Sequence, residues 1–238
     1  MSKKSNITKN VIKLLLVILV ILLMLPLILK ISVLFKDIST EEGRLAFKDQ
    51  ITNLGFKGIF IILGLTIIQI FLLVLPGEPV EILAGMCYGS IGGLIIIYIG
   101  VFISSAIIIL LINKYGKNII YSFVEKDKIE KLENSKIFKT GNLDLILIIL
   151  FALPGTPKDL ITYMGAILPI RPLKFIMIST FARFPSIITS TIMGNNLLEG
   201  NWFFIIGVYV ITFAISGIFI YFYNKRNKKQ KITDIMKV

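Results

Sequence analysis

The sequence predicts an all-α integral membrane protein: an inverted repeat with two opposed re-entrant (broken) helical hairpins plus about four transmembrane helices. Three observations carry that prediction. First, 55% of the 238 residues are hydrophobic and only 17% are charged, with a mean hydropathy of +0.86; soluble domains carry more charge and lack apolar runs of this length. Second, one short motif occurs twice. Leu75-Pro76-Gly77-Glu78-Pro79-Val80-Glu81 recurs 78 residues later as Leu153-Pro154-Gly155-Thr156-Pro157-Lys158-Asp159. Prolines three apart remove backbone donors and the glycine relaxes the chain, so neither copy can be continuous helix. Hydrocarbon tolerates broken backbone only where protein or a water-filled cavity covers it, and paired breaks at matching positions in two halves point to a transporter's binding site. Third, 17 of the 26 Lys and Arg residues fall in residues 1–13, 114–139 and 225–237. These flank the apolar runs, where the positive-inside rule places them. The net charge of +12 therefore reads as topology and contact with anionic lipid, and not as a nucleic-acid surface.

Taken in order, residues 1–10 are polar and basic, and Val11 to Leu29 is an apolar run of bilayer length. It has the character of an uncleaved signal anchor, since it is long for a signal-peptide core and no small-x-small cleavage pattern follows. Residues 1–35 are thus expected to form an N-terminal transmembrane anchor. Residues 36–57 mix charges and are expected to be a polar loop or a short interfacial helix. A membrane domain then spans 58–223, with a first repeat at 58–113, a polar loop at 114–142 and a second repeat at 143–223.

Within the first repeat, Gly58 to Leu75 is apolar with Gln69 inside it, and Ile82 to Gly89 follows the break. Ile91 to Ile112 is a full span with Gly93, Gly100 and Ser104 at helical spacing, which lets helices approach closely. The polar loop carries seven lysines and four acids between Lys114 and Lys139. In the second repeat, Leu143 to Leu153 is too short to cross unaided, the second break and Leu160 to Ile170 follow, and Leu173 to Met193 spans. Trp202 to Tyr223 is the last span, with aromatic residues at both ends, before a basic tail at 224–238.

Orientation tests this division. With a cytoplasmic N-terminus and each Pro-Gly-x-Pro break as the tip of a hairpin that enters and leaves on one face, all three basic clusters lie inside and the hairpins enter from opposite faces. Counting 58–75 as a complete span places the seven-lysine segment outside, so the hairpins are preferred. Residues 30–57 carry five Lys/Arg of their own, diluted by four acids.

Glu81 and Asp159 occupy equivalent positions, each two residues after the second proline of its break. A carboxyl group withdrawn from water can bind and release protons near neutral pH, and an intramembrane acid is costly enough to imply function. The competing reading is that both cap helix N-termini. Glu78 lies between the prolines of the first break, where Thr156 stands in the second, and Lys158 adds a positive charge that the first break lacks. Arg183 lies mid-span in Phe181-Ala182-Arg183-Phe184-Pro185, with Ser179, Ser186 and Ser190 on one helical stripe facing the bundle. Its repeat equivalent is Ser105. The guanidinium can grip a phosphate bidentately or pair with Glu81 or Asp159, in the second case as a purely structural ion pair. It is too far from either helix end to snorkel. Free N–H groups after Pro79 and Pro157 would also favour an anion. Gly85, Gly89, Gly165 and Gly194 read as packing residues. The single cysteine, Cys87, cannot form an intrachain disulfide. No histidine, nucleotide loop, activated nucleophile or metal-ligand spacing is present, so no metal, no cofactor and no enzyme activity are expected.

At these residues the sequence resembles the DedA / VTT-domain superfamily, the SNARE-associated Golgi protein family, and within it the branch related to vacuolar trafficking proteins. The resemblance rests on Pro-Gly-Glu-Pro-x-Glu at Pro76 to Glu81, on Pro-Gly-Thr-Pro-Lys-Asp-Leu at Pro154 to Leu160 with Tyr163 and Gly165, and on Phe-Ala-Arg-Phe-Pro-Ser at Phe181 to Ser186 followed by Gly194. It covers about residues 55–225. It implies two opposed re-entrant hairpins and lipid transport of the kinds associated with the family: polyprenyl-phosphate recycling, phospholipid scrambling and dependence on proton motive force. Glu81 and Asp159 match the family's acidic positions, and Arg183 its arginine.

The expected function is therefore a transporter or scramblase of an anionic lipid headgroup in the plasma or inner membrane, with protons and lipids as partners. Both termini are expected in the cytoplasm. Two alternatives remain: a proton-coupled carrier of a small anion, and a membrane scaffold that moves nothing.

Overall fold

The computed structural model describes residues 40–73, 76–115, 130, 143–153, 156–165, 167–198 and 200–226. The expected anchor at 1–35, nearly all of the 114–142 loop, Pro154, Gly155 and the tail beyond 226 lie outside them. The described residues are helical, without strands: α1 (Glu41–Asn53), α2 (Phe56–Leu72), α3 (Glu78–Tyr115), α4 (Leu143–Ala152), α5 (Lys158–Met164), α6 (Pro172–Phe181), α7 (Phe184–Leu197) and α8 (Trp202–Arg226). Two helical stretches, Glu78–Lys114 and Pro172–Leu197, are long and apolar enough to cross a membrane, and a third if α1 and α2 are counted as one broken span. This is the build of a membrane protein.

The chain forms two compact units, Met1–Gln50 and Ile51–Val238. Of the first, residues 40–50 are described, and residues 41–50 belong to α1. Thr40 Oγ1 accepts from the Gly43 amide at 3.1 Å, an N-terminal cap, and Phe47 is buried.

In the second unit, α3 is not one rod. Gly89 has φ 72° and ψ 173°, a conformation essentially reserved for glycine, and the chain folds back on itself there. A Cβ on Gly93 would stand 2.7 Å from the Ala84 carbonyl carbon and the Gly85 nitrogen. In a continuous helix, residues nine apart are separated by about 13 Å. Gly89, expected as a packing glycine, is thus a reversal point between a short arm (78–88) and a long arm (90–115). Gly85 and Gly194 do serve packing. Cβ atoms there would come within 2.1 Å of the Thr191 carbonyl oxygen and 1.9 Å of the Ile82 carbonyl oxygen, so the short arm and α7 touch backbone to backbone. A Cβ on Gly165 would likewise stand 2.1 Å from the Phe175 ring.

Contacts along the chain give the path. Gly58, near the start of α2, lies against the Tyr88 hydroxyl at the end of the short arm. The excursion through the first break therefore returns to the end from which it left. In the second half, Lys174 pairs with Asp144, so the excursion through α4, the second break and α5 also returns to its starting end. Along the long arm of α3, Tyr98 meets Phe181, Ser105 meets Ser179, and Ile109 packs among Phe175 and Ile176. The long arm and α6 thus run antiparallel, and the two excursions open toward opposite ends of the long arm.

The expected span at 173–193 is not a single helix. α6 ends at Phe181 and α7 begins at Phe184, with Pro185 in its first turn. The proline ring cannot accommodate the carbonyl four residues back, so the helix breaks at Ala182-Arg183. Outward faces are apolar: Ile91, Ile95, Ile99, Phe102 and Leu110 on the long arm, and Phe203, Ile206, Val210 and Phe213 on α8, are all exposed. A soluble protein would cover stripes this long; a bilayer covers them here.

Candidate functional site

The breaks bring helix starts together in the interior. Each break ends one helix and begins another: the Val80 and Glu81 amides both donate to the Gly77 carbonyl, at 3.0 and 3.1 Å, and Ile161 N donates to Pro157 O at 3.1 Å. Thr156 closes the end of α4 by donating its hydroxyl toward the carbonyls of Leu150 at 2.6 Å and Leu153 at 3.0 Å, which helix termination leaves without amide donors.

Arg183 sits where α6 breaks into α7 and is 4% exposed. Its Nη1 donates to Asp159 Oδ1 at 3.0 Å, and Nη2 donates to Thr162 Oγ1 at 2.8 Å. The guanidinium carbon lies 5.2 Å from the centre of the Phe151 ring, within range of a cation–π attraction. The buried Arg183 Nε has no hydrogen-bond partner among the described residues. Asp159 accepts on its other oxygen from Gln69 Nε2 at 2.6 Å, so both carboxylate oxygens are held by charge-assisted or amide donors. Neither oxygen caps α5, which has no side-chain cap.

Glu81 is buried on the short arm of α3, and its Oε2 has no hydrogen-bond partner among the described residues. It faces Ser190 on α7, and Lys158, Arg183 and Glu78 are near enough to act on its charge. Lys158 in turn lies within reach of the charges of Glu81, Arg183, Glu78 and Asp159.

Of the residues singled out in the sequence, Glu81, Lys158, Asp159 and Arg183 therefore form one charged cluster. Glu78 stands at its solvent-exposed edge. The stripe of Ser179, Ser186 and Ser190 is buried, as its helical spacing requires. Arg183's repeat equivalent, Ser105, bonds Ser179 at 3.1 Å, beside the site and not in it. Pro76, Gly77, Pro79 and Pro157 lie at the helix interruptions, whereas Pro154 and Gly155 are outside the described residues.

Three members were not legible as site residues. Gln69 was visible only as a polar residue in an apolar run. Thr162 is one turn beyond Lys158, whose carbonyl it also reaches at 3.0 Å. Tyr163 donates its hydroxyl to the Phe71 carbonyl at 3.0 Å. The signal that could have found Gln69 is its polarity: a carboxamide inside an apolar span needs a partner.

The chemistry available is that of a desolvated cation beside two carboxylates and a second cation. A guanidinium whose Nε–H has no partner among the described residues, and whose two bonded N–H groups sit on exchangeable partners, can bind an anionic oxygen group. The VTT domain family model matches residues 75–196 of the chain, just over half its length, a range that includes Glu81, Lys158, Asp159 and Arg183. No curated protein and no solved structure matches the chain.

Proposed function

This chain belongs to the VTT-domain (DedA) superfamily, and from that premise we propose that it carries the anionic headgroup of a lipid, a polyprenyl phosphate or a phospholipid, across the bilayer. The observation that carries the reading is Arg183: a buried cation at the meeting of both breaks, with a free Nε–H, one carboxylate bound (Asp159) and another (Glu81) nearby with an unbound oxygen. Buried ionic groups in an apolar setting are costly, so function is the default explanation.

In this reading the headgroup displaces Asp159 from Arg183, and Arg183 exchanges between Asp159 and Glu81 as access alternates. Protons couple to movement, in this reading, at Glu81, the carboxyl whose Oε2 makes no hydrogen bond among the described residues. The acyl or prenyl tails stay in lipid beside the exposed apolar faces of α3 and α8. Two opposed re-entrant hairpins, related as an inverted repeat, give the site access from either face. This proposal is supported by the opposite openings of the excursions and by the duplicated motif. The basic clusters favour cytoplasmic termini in a plasma or inner membrane. The chain acts as a carrier and not as an enzyme.

The test is headgroup movement in proteoliposomes, followed with fluorescent phospholipids and a fluorescent polyprenyl phosphate at matched and opposed pH. Movement by the wild-type chain that Arg183→Ala abolishes supports the reading. No movement of either lipid by correctly inserted protein overturns it and favours a carrier of small soluble anions.

A further inference from the structure

Two side-chain hydrogen bonds join the excursions across one pair of helix turns. Gln69, in the last turn of α2, donates to Asp159 in the first turn of α5. One turn further along α5, Tyr163 donates back to the Phe71 carbonyl of α2. The second bond has a clear cause. α2 stops at Leu72, and Leu73 turns into the left-handed region with φ 56° while its amide bonds the Gln69 carbonyl. The Phe71 carbonyl lies in the last turn of α2, where the ending helix leaves carbonyls for other donors, and the tyrosine hydroxyl bonds it. Gln69 and Tyr163 are both buried, at 4% and 1% exposed. Gly77 lies beside the Gln69 carboxamide: a Cβ there would be in ordinary contact with it, 3.4 Å from its oxygen. The first break thus neighbours the side chain that holds Asp159.

We propose that Gln69 and Tyr163 form a latch between the two excursions: Gln69 positions Asp159 on Arg183, Tyr163 holds α5 against the end of α2, and the site opens to an anion when the latch parts. The site's role in headgroup transport is the reading given above; the latch itself is a statement about the accessibility of Arg183. Asp159 is where the two meet. One of its oxygens belongs to the latch and the other to the cation, so an anion that replaces Asp159 on Arg183 must also work against Gln69. Neither latch residue touches the moving headgroup; both are positioning residues.

The latch is tested on the reconstituted full chain by the rate at which phenylglyoxal modifies Arg183, read from the Arg183 peptide by mass spectrometry. Gln69→Met keeps volume and removes the donor; Tyr163→Phe removes a single oxygen. The expected result is about a tenfold faster modification for Gln69→Met, the scale of one hydrogen bond to a charged group, and about fivefold for Tyr163→Phe. Gln69→Met adds no further increase in an Asp159→Asn background, because it acts through that carboxylate. A role in packing alone would accelerate Gln69→Met equally in both backgrounds. Unchanged modification rates in both single variants, with wild-type melting temperatures, overturn the latch. So does a full additional effect of Gln69→Met in Asp159→Asn. If one variant fails to fold, the other probes the same contact. Faster modification without any lipid movement leaves the latch standing and removes the transport reading, so the two claims fail separately.

Discussion

The two breaks share a motif but do different things with it. In the first, Glu78 is exposed at the helix start, and Glu81 is buried with one carboxylate oxygen unbound. In the second, Thr156 takes the place of Glu78 and ties off the end of α4, and Asp159 has both oxygens bonded, one to Gln69 of the first excursion and one to Arg183. The repeat thus placed two equivalent acids together but gave only Asp159 a direct bond to the arginine, because Arg183 has Ser105 as its counterpart and not a second arginine; Glu81 has the charges of Lys158 and Arg183 nearby. A duplicated backbone grammar sets where the acids go. The single-copy residues decide which one is occupied.

That asymmetry can be broken most severely at the cation. Arg183→Ala leaves Asp159 partly buried without its bonded cation, with the Gln69 amide and the nearby charge of Lys158 remaining, and removing one member of a buried pair costs about 3 kcal/mol or more. The expected result is a large fall in detergent melting temperature together with loss of headgroup movement. Next come the glycines that let the short arm of α3 reach α7. Gly194→Ala and Gly85→Ala force backbone apart and should each cost about 2 kcal/mol, as overpacking does. Gly64→Ala, with no atom within 4 Å of the added methyl, should be neutral or stabilising by up to about 1 kcal/mol; the same melting assay separates them.

Glu81→Gln sharpens the comparison between the acids. Its Oε2 makes no hydrogen bond among the described residues, and Ser190 can bond a carboxamide oxygen as it does the carboxylate, so stability should change by less than about 1 kcal/mol, whereas headgroup movement in proteoliposomes should fall. A loss of stability equal to that of Arg183→Ala would instead place Glu81 in the structural pair. The smallest effect belongs to Lys174→Ala. That pair with Asp144 is exposed, 52% and 44%, and exposed pairs contribute about 0.5 kcal/mol. No measurable change in melting temperature or movement is expected.

Much of this was legible before any coordinates. Apolar run lengths give the helical membrane class, and proline chemistry gives both interruptions at 76–79 and near 157. The shared spacing places Glu81 and Asp159 at matching positions. The break at Ala182-Arg183 was legible in principle from Pro185, but an apolar run of spanning length concealed it. Gly89 was hidden for a different reason: nothing in Gly-Ser-Ile-Gly-Gly distinguishes a glycine needed for a reversal from one needed for close packing, since both require only a missing Cβ. Gln69 and Tyr163 were hidden because their partners, Asp159 and the Phe71 carbonyl, are about 90 positions away. Spacing along one helix says nothing of contacts between two excursions.

The most direct test of the account asks whether a lipid's anionic group is held at Arg183. Native mass spectrometry of the purified full chain would be run with phosphatidylglycerol, and with phosphatidylcholine as the zwitterionic, net-neutral comparison, for wild type, Arg183→Gln and Glu81→Gln. The account predicts phosphatidylglycerol retained by wild type and by Glu81→Gln, and lost from Arg183→Gln, with phosphatidylcholine retained poorly by all three. Equal retention of phosphatidylglycerol by wild type and Arg183→Gln would contradict it.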